Sequence, residues 1–92
     1  MFARINTIQL KPGTLPTYLR VLQMEILPML RDQQGFVNAS TVCESSENIH
    51  MVTIWDSVKN LENYHNGVFQ DICHLLSEVN DGITRISLQL ID

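Results

Sequence analysis

Three residues of this chain could do chemistry inside apolar surroundings. Asn6 lies among the apolar residues Ile5, Ile8 and Leu10, where an unpaired buried amide costs about 1–3 kcal/mol. Its side chain could donate to a substrate carbonyl or to bound oxygen, or be satisfied by a neighbouring side chain, by water or by solvent. Trp55, the only tryptophan, could line a ligand cavity or fill the core. His74 could serve as a general base or an iron ligand, or lie on the flank of a helix facing solvent.

Four more residues could line a substrate pocket: Asn38, His50, Tyr64 and Phe69. His50 could equally be satisfied at a strand end or at a dimer face, and Tyr64 could place its ring in the core and its hydroxyl in water. No pair of Cys and His residues has zinc spacing, and we predict no metal site. Cys43 and Cys73 lie far apart, and we expect two reduced thiols, although a disulfide is not excluded.

These side chains need a scaffold, and hydrophobic periodicity predicts one. A strand over Phe2–Leu10 precedes a helix that begins after Thr14, its expected N-cap, and bends at Pro28. The other expected elements are strands at Phe36–Cys43, Ile49–Trp55 and Ile83–Ile91, helices at Val58–Asn66 and Val68–Val79, and a turn at Asn80-Asp81-Gly82.

This order is the split βαβ pattern. It predicts an α+β, ferredoxin-like fold in which a four-stranded antiparallel sheet carries its helices on one face. Residues 1–92 are short enough to form a single domain.

The apolar pattern of the strands predicts a homodimer. Both faces carry apolar groups: Phe36 and Val42 are expected to share one face of their strand, with Ala39 and Cys43 on the other. Two helices cover one face, so the other would be a large exposed apolar patch on a monomer. Charged residues make up only 17% of the chain, and we therefore expect two sheets to pack face to face.

Composition excludes other functions. The net charge of −4 with scattered basic residues argues against nucleic-acid binding, which needs clustered cations. No apolar run approaches the ~20 residues that span a bilayer, so we expect no membrane partner. The first ten residues lack the pattern of a secretory signal, and we expect a cytoplasmic protein.

Three stretches make the chain resemble the antibiotic biosynthesis monooxygenase (ABM) family, whose fold is the dimeric α+β barrel. RINTIQLKPGT resembles its first strand and turn, ILPMLRDQQGF its helix end, and MVTIWDSVKNLENYHNGVFQDI its strand-to-helix signature. The resemblance implies a site asparagine in the first strand, a tryptophan that lines the cavity between sheet and helices, and a small-molecule ligand. It does not fix the chemistry, because fold analogy does not establish function.

Three functions are therefore considered. The first is a cofactor-independent monooxygenase of small aromatic or quinol-like molecules, in which Asn6 holds a substrate oxygen and His74 or His50 takes the proton. The second is heme degradation: the resemblance puts an axial histidine at His74 or, counted from Val68-Phe69, puts Cys73 at that position. The third is a non-catalytic dimeric ligand-binding module.

Overall fold

A computed structural model describes the backbone of residues 1–90 and the side chains of residues 1–79. A strand, a helical region, two strands, two helices and a last strand follow one another along the chain. The strands are β1 (Phe2–Leu10), β2 (Phe36–Cys43), β3 (Asn48–Trp55) and β4 (Asn80–Leu90). The helices are α1 (Leu15–Val21), a π-helical segment (Leu22–Ile26), α2 (Leu27–Arg31), α3 (Val58–Asn66) and α4 (Val68–Leu75).

The four strands form one antiparallel sheet in the order β2-β3-β1-β4. β1 therefore lies in the middle of the sheet, between β3 and β4. The predicted α+β class is confirmed. The core contains buried side chains of β1, β3 and the helices together, so the helices cover one face of the sheet.

Burial alternates along the central strands as a sheet covered on one side requires. In β3, the residues at positions 49, 51, 53 and 55 are buried under the helices, and the residues between them are half-buried. His50, Val52 and Ile54 therefore share the opposite face, which we call the open face; Val42 of the edge strand is 53% exposed there. The alternation predicted for β3 is confirmed.

The alternation predicted for β2 is wrong at its start. Phe36 pairs with Trp55 and Ala39 pairs with Thr53, with a register irregularity between Phe36 and Asn38. A bulge adds one residue to one strand and shifts every later side chain by one position. Phe36 consequently faces the helices with Ala39, and Val42 does not share its face.

The first helical region contains a wider turn than the sequence predicts. The backbone N–H of Leu27 donates to the carbonyl of Leu22, which is the spacing of a π-helix. Pro28 then occupies the first turn of α2, where a missing N–H costs little. The distortion expected at Pro28 is therefore taken up by a π segment immediately before it.

Two helix ends differ in how they are capped. Thr14 occupies the N-cap position of α1 without a capping hydrogen bond, and its hydroxyl instead donates to the carbonyl of Lys11 at 2.6 Å. Ser57 caps α3, where its Oγ accepts from the backbone N–H of Asn60 at 3.2 Å. Thr14 is therefore the N-cap residue, as predicted, but its side chain makes no capping hydrogen bond, because a nearby turn carbonyl takes its hydroxyl.

The C-terminal part of the chain also departs from the prediction. α4 ends at Leu75, residues 76–79 form the turn, and β4 already begins at Asn80. The predicted turn at Asn80-Asp81-Gly82 is therefore wrong: Gly82 pairs with Gln9, and Asn80 with Leu10, across a second register irregularity. The side-chain pattern predicted for the last strand, and Ile91 itself, lie outside the described residues.

Candidate functional site

Two polar side chains of β1 lie under the helices. Arg4 is 3% exposed and Asn6 is fully buried, and both point to the covered face because strand residues two apart share a face. The neighbouring even-numbered residues, Ile8 and Leu10, are buried in the hydrophobic core. The fold therefore places a guanidinium and an amide in the central strand, on an otherwise apolar surface.

The guanidinium of Arg4 has two kinds of contact. Its Nε donates to Oδ1 of Asn6 at 3.1 Å, which fixes the amide with its NH₂ group pointing away from that bond. Its Cζ lies 4.1 Å from the ring centroid of Phe69 and 5.7 Å from that of Tyr64, within the range of cation–π attraction. Burial lowers the pKa of Arg4, but a guanidinium remains protonated in proteins.

Three buried donors of this cluster have no hydrogen-bond partner among the residues whose side chains are described. They are the Nη2 of Arg4, the Nδ2 of Asn6 and the hydroxyl of Tyr64. Burial raises the pKa of Tyr64, so the hydroxyl stays protonated and remains a donor. Leaving a buried polar group unsatisfied costs about 1–3 kcal/mol for each group. Donors kept at such a cost indicate a place for an oxygen-bearing ligand or for water. We call Arg4, Asn6 and Tyr64 the donor cluster.

Aromatic rings form a continuous wall beside the donor cluster. Trp55 stacks on Tyr64 with centroids 4.6 Å apart, and Tyr64 lies 5.7 Å from Phe69. Phe36 meets Trp55 edge-on at 5.6 Å. The indole N–H of Trp55 donates to Oγ1 of Thr53 at 2.9 Å, so the ring is held in one orientation. The wall offers flat apolar surfaces to an aromatic ligand.

His65 stands at the end of this wall. Its ring stacks on Phe69 at 5.4 Å and 20°, and its Nδ1 is buried with no hydrogen-bond partner within residues 1–79. Burial is the larger of two causes that lower the pKa of His65 below its ordinary value of 6.5, and the positive charge of Arg4 is the second. The imidazole is therefore neutral at pH 7, a state in which it can accept a proton.

A cleft opens on the same face of the sheet as the donor cluster. Its volume is about 160 Å³, and it lies between the first helical region and strands β2 and β3. Met51, which contributes to the cleft, is the register partner of Asn6, so the cleft and the donor cluster are neighbours. Its lining is mostly apolar, formed by Leu22, Leu27, Ala39, Ser40, Thr41 and Met51.

The structure brings together four of the residues predicted from the sequence. Asn6, Trp55, Tyr64 and Phe69 lie buried on the covered face, linked through the contacts of Arg4 and the aromatic wall.

The other three predicted residues lie apart from this group. His74 is exposed on α4 and Asn38 is exposed on β2. His50 belongs to the open face, where its Nδ1 is 2.9 Å from the hydroxyl of Thr7 and its Nε2 is 3.0 Å from Oε2 of Glu44.

Sequence reasoning missed Arg4 and His65. Arg4 is one of the scattered basic residues, and it lies two positions before Asn6. Strand alternation puts both side chains on one face, and this spacing is the sequence signal that links Arg4 to Asn6. His65 precedes Gly67 at a helix junction, and no pattern in the sequence indicates that its ring would stack on Phe69.

Neither of the two residues considered as an axial heme ligand, His74 or Cys73, fits that role. His74 is exposed, and burial raises the pKa of the half-buried Cys73 thiol, which keeps it in the protonated form that binds iron poorly. Among the described residues, no group of three or more His, Cys, Asp or Glu side chains could hold a metal ion. Within the same residues, no helix is long and apolar enough to cross a membrane.

Comparison with known proteins identifies the fold. No protein-family model and no curated protein matches the chain, but solved structures match it along its whole length. A proposed antibiotic biosynthesis monooxygenase from Bordetella bronchiseptica is 18% identical, with a TM-score of 0.77 over 99% of this chain and 96% of that one. A conserved protein from Methanosarcina mazei Go1 is 21% identical, with a TM-score of 0.77 over 99% and 92%.

A third structure contains a ligand. It is a monooxygenase from the gene ActVA-Orf6 of Streptomyces coelicolor in complex with nanaomycin D, 14% identical, with a TM-score of 0.78 over 99% of this chain and 87% of that one. At these identities the likeness concerns the fold, and the resemblance noted in the sequence is confirmed at that level. The chain has the ferredoxin-like α+β fold of the antibiotic biosynthesis monooxygenases.

Proposed function

We propose that this chain is a cofactor-independent monooxygenase that oxidises a small aromatic, quinol-like molecule with O₂. The observation that carries the proposal is the donor cluster: three buried, unpartnered donors beside an aromatic wall. The fold is shared with structures named as monooxygenases, one of them in complex with a small molecule. An apolar site with donors for one oxygen suits a phenol better than a purely aliphatic ligand.

The reaction balances without a cofactor. A phenol with a free ring C–H loses its O–H proton, and the electron-rich phenolate transfers electrons to O₂. One oxygen atom forms a new C=O bond at the ring carbon, the C–H bond there breaks, and the other oxygen leaves as water with the two hydrogens. The ring is oxidised to a quinone and O₂ is the only oxidant.

Each group of the site has a role in this scheme. Arg4 and Asn6 donate to the substrate oxygen and stabilise the charge that develops there. His65 accepts the phenol proton in its neutral form. Trp55 and Phe69 contact the ring, and the cleft beside Met51 is the route by which substrate and O₂ enter.

We further propose that the protein works as a homodimer. The open face carries half-buried Val52 and Ile54, with exposed Val42 at its edge, and apolar residues in such a patch favour association. A second sheet packed on this face would leave the donor cluster untouched, because that cluster lies on the other side of the sheet.

Oxygen uptake tests the proposal. Wild-type protein incubated with hydroquinones and polycyclic phenols should consume one O₂ for each quinone formed, and His65→Gln should slow the reaction by about 10²-fold. Because the pKa of His65 is lowered, kcat/KM should fall on the acid side only below pH 6.5. This decrease of kcat/KM at low pH should be absent in His65→Gln.

Two results would contradict the proposal in different ways. Binding of the phenols without any oxygen uptake would favour a non-catalytic ligand-binding module. The variant His74→Gln, tested in the same assay, distinguishes the two histidines. If His74→Gln loses oxygen uptake while His65→Gln stays active, the general base is His74, as the sequence predicted, and not His65.

A further inference from the structure

We propose that the site binds its ligand as an oxyanion and that Arg4 is the residue that selects the anion over the neutral molecule. The inference rests on the proposed function only for the nature of the ligand, a phenol. It adds a charge requirement to that function.

The first argument is that, among the side chains of residues 1–79, the buried charge of Arg4 has no counter-charge. Among residues 1–79, the contact between a basic side chain and a carboxylate joins His50 and Glu44 on the open face. Arg4, which is 3% exposed, lies on the opposite, covered face of the sheet. Removing a charge from water costs several kcal/mol unless an opposite charge and hydrogen bonds compensate it. The chain nevertheless keeps a full cation in its core.

The second argument is that the described groups facing Arg4 cannot supply the missing charge. From β1 it meets the neutral amide of Asn6. From α3 it meets Tyr64, whose pKa burial raises, and the neutral His65. From α4 it meets the ring of Phe69 and the Cys73 thiol, whose pKa burial also raises. These groups are all uncharged at pH 7, so no described side chain facing Arg4 supplies the compensating anion, and we assign that anion to a ligand.

The third argument concerns which anion fits. The site offers one cation, and the remaining donors are one amide NH₂ and one phenolic hydroxyl. A phosphate carries more charge and more acceptor oxygens than this set can satisfy. A single negative charge spread into an aromatic ring matches one guanidinium and the flat faces of Trp55 and Phe69. The chemistry therefore indicates a phenolate.

The test uses para-nitrophenol, whose electron-withdrawing nitro group disfavours electron transfer to O₂ and whose anion has its own visible absorption band. The absorbance of the protein-bound probe is titrated against pH. An opposite charge within a few ångströms lowers the pKa of an acid by about 1–3 units, so the pKa of the bound probe should fall by at least about one unit. Nitrobenzene, its neutral analogue, should bind at least about tenfold more weakly to the wild type at pH 7.

Variants at position 4 assign the effect to the guanidinium. Arg4→Met keeps a long apolar side chain and should abolish both the pKa shift and the preference over nitrobenzene. Arg4→Lys keeps the charge but not the fork of donors and should retain part of the shift. Circular dichroism establishes that each variant is folded. If Arg4→Met does not fold, the comparison of the two probes on the wild type decides the question alone.

The outcomes separate this inference from the proposed function. A lowered probe pKa in a protein that consumes no O₂ with any phenol supports anion selection and contradicts the monooxygenase. Oxygen uptake in a protein that binds the two probes equally, or leaves the probe pKa unchanged, overturns anion selection and supports the monooxygenase. Failure of the wild type to bind para-nitrophenol at all also overturns the inference.

Discussion

The pair formed by Arg4 and Asn6 is a costly arrangement for stability, because each side chain leaves a buried donor with no partner in the described part of the chain. Their mutual hydrogen bond of 3.1 Å satisfies only one donor of the guanidinium and one acceptor of the amide. A site evolved for folding alone would favour apolar residues at both positions. We interpret the pair as stability given up for ligand binding.

A double-mutant cycle tests this interpretation. Asn6→Leu removes the described hydrogen-bond partner of a buried cation and should lower the free energy of unfolding by about 1–3 kcal/mol. Arg4→Met leaves Oδ1 of Asn6 unpaired but also removes the buried cation, so it should lower the free energy of unfolding by less than Asn6→Leu. The double variant removes both polar groups and should be as stable as the wild type or more stable. Urea unfolding followed by circular dichroism gives the three differences.

A matched control comes from a satisfied pair in the same sheet. The indole N–H of Trp55 donates to Oγ1 of Thr53, so Thr53→Val should only destabilise, by about 1–3 kcal/mol. A double variant of Arg4 and Asn6 that is less stable than either single variant would show that the pair serves folding rather than a ligand.

The residue scale is also where the sequence was least informative. Asn6 could be singled out because an amide in an apolar strand is unusual. The face on which it lies could not be settled, because both faces of that strand carry apolar residues. The importance of Arg4 depends on its contact with Phe69, which lies 65 positions away along the chain, and no local pattern reports such a contact.

At the scale of elements, periodicity was sufficient where a segment had a clear pattern. The bounds of β1, β2 and α3 agree with the predicted ones. The misplaced features are a bulge in β2, a π segment before Pro28 and the early start of β4. All three insert or redistribute residues within a regular pattern, and their position depends on packing between elements rather than on the propensity of a single segment.

The junction between α2 and β2 depends on Gly35, and a paired substitution tests this. Gly35 has φ of +82°, and a Cβ placed there would collide with the side chains of Asp56 and Asn60. Gly13 has nearly the same φ, +79°, but open space around it. Gly13→Ala should therefore cost only the backbone strain of about 1–2 kcal/mol, and Gly35→Ala should cost that strain plus about 1–3 kcal/mol for the clash.

The difference in stability loss between the two alanine variants measures the cost of the close approach of β2 to the start of α3. It is measured from the free energies of unfolding in urea, with the wild type as reference. Asp56 already accepts from the side-chain amide of Asn60 at 2.9 Å, and its backbone N–H donates to the carbonyl of Gly35. Equal losses in both variants would mean that these side chains move aside without cost and that the junction is loosely packed.

At the scale of the whole molecule, the two faces of the sheet have different tasks. The covered face holds the donor cluster, the aromatic wall and the cleft. The open face carries the chain of contacts from Thr7 through His50 to Glu44, together with apolar side chains. Helices are available for one face only, so the second face needs another partner, and a second copy of the chain supplies a surface of the same character.

Substitutions on the open face test the proposed homodimer. Val42 is 53% exposed and Val52 is half-buried on that face, so glutamates there should be tolerated by a lone subunit. In a dimer they would be desolvated and would approach each other across the two-fold axis, which opposes association. The variant Val42→Glu/Val52→Glu should therefore halve the molar mass measured by light scattering at micromolar concentration.

Met24, 71% exposed on the π-helical segment, gives the control Met24→Glu, which should leave the mass unchanged. A monomeric wild type, or a double variant with the mass of the wild-type dimer, would show that the open face is not where two copies meet.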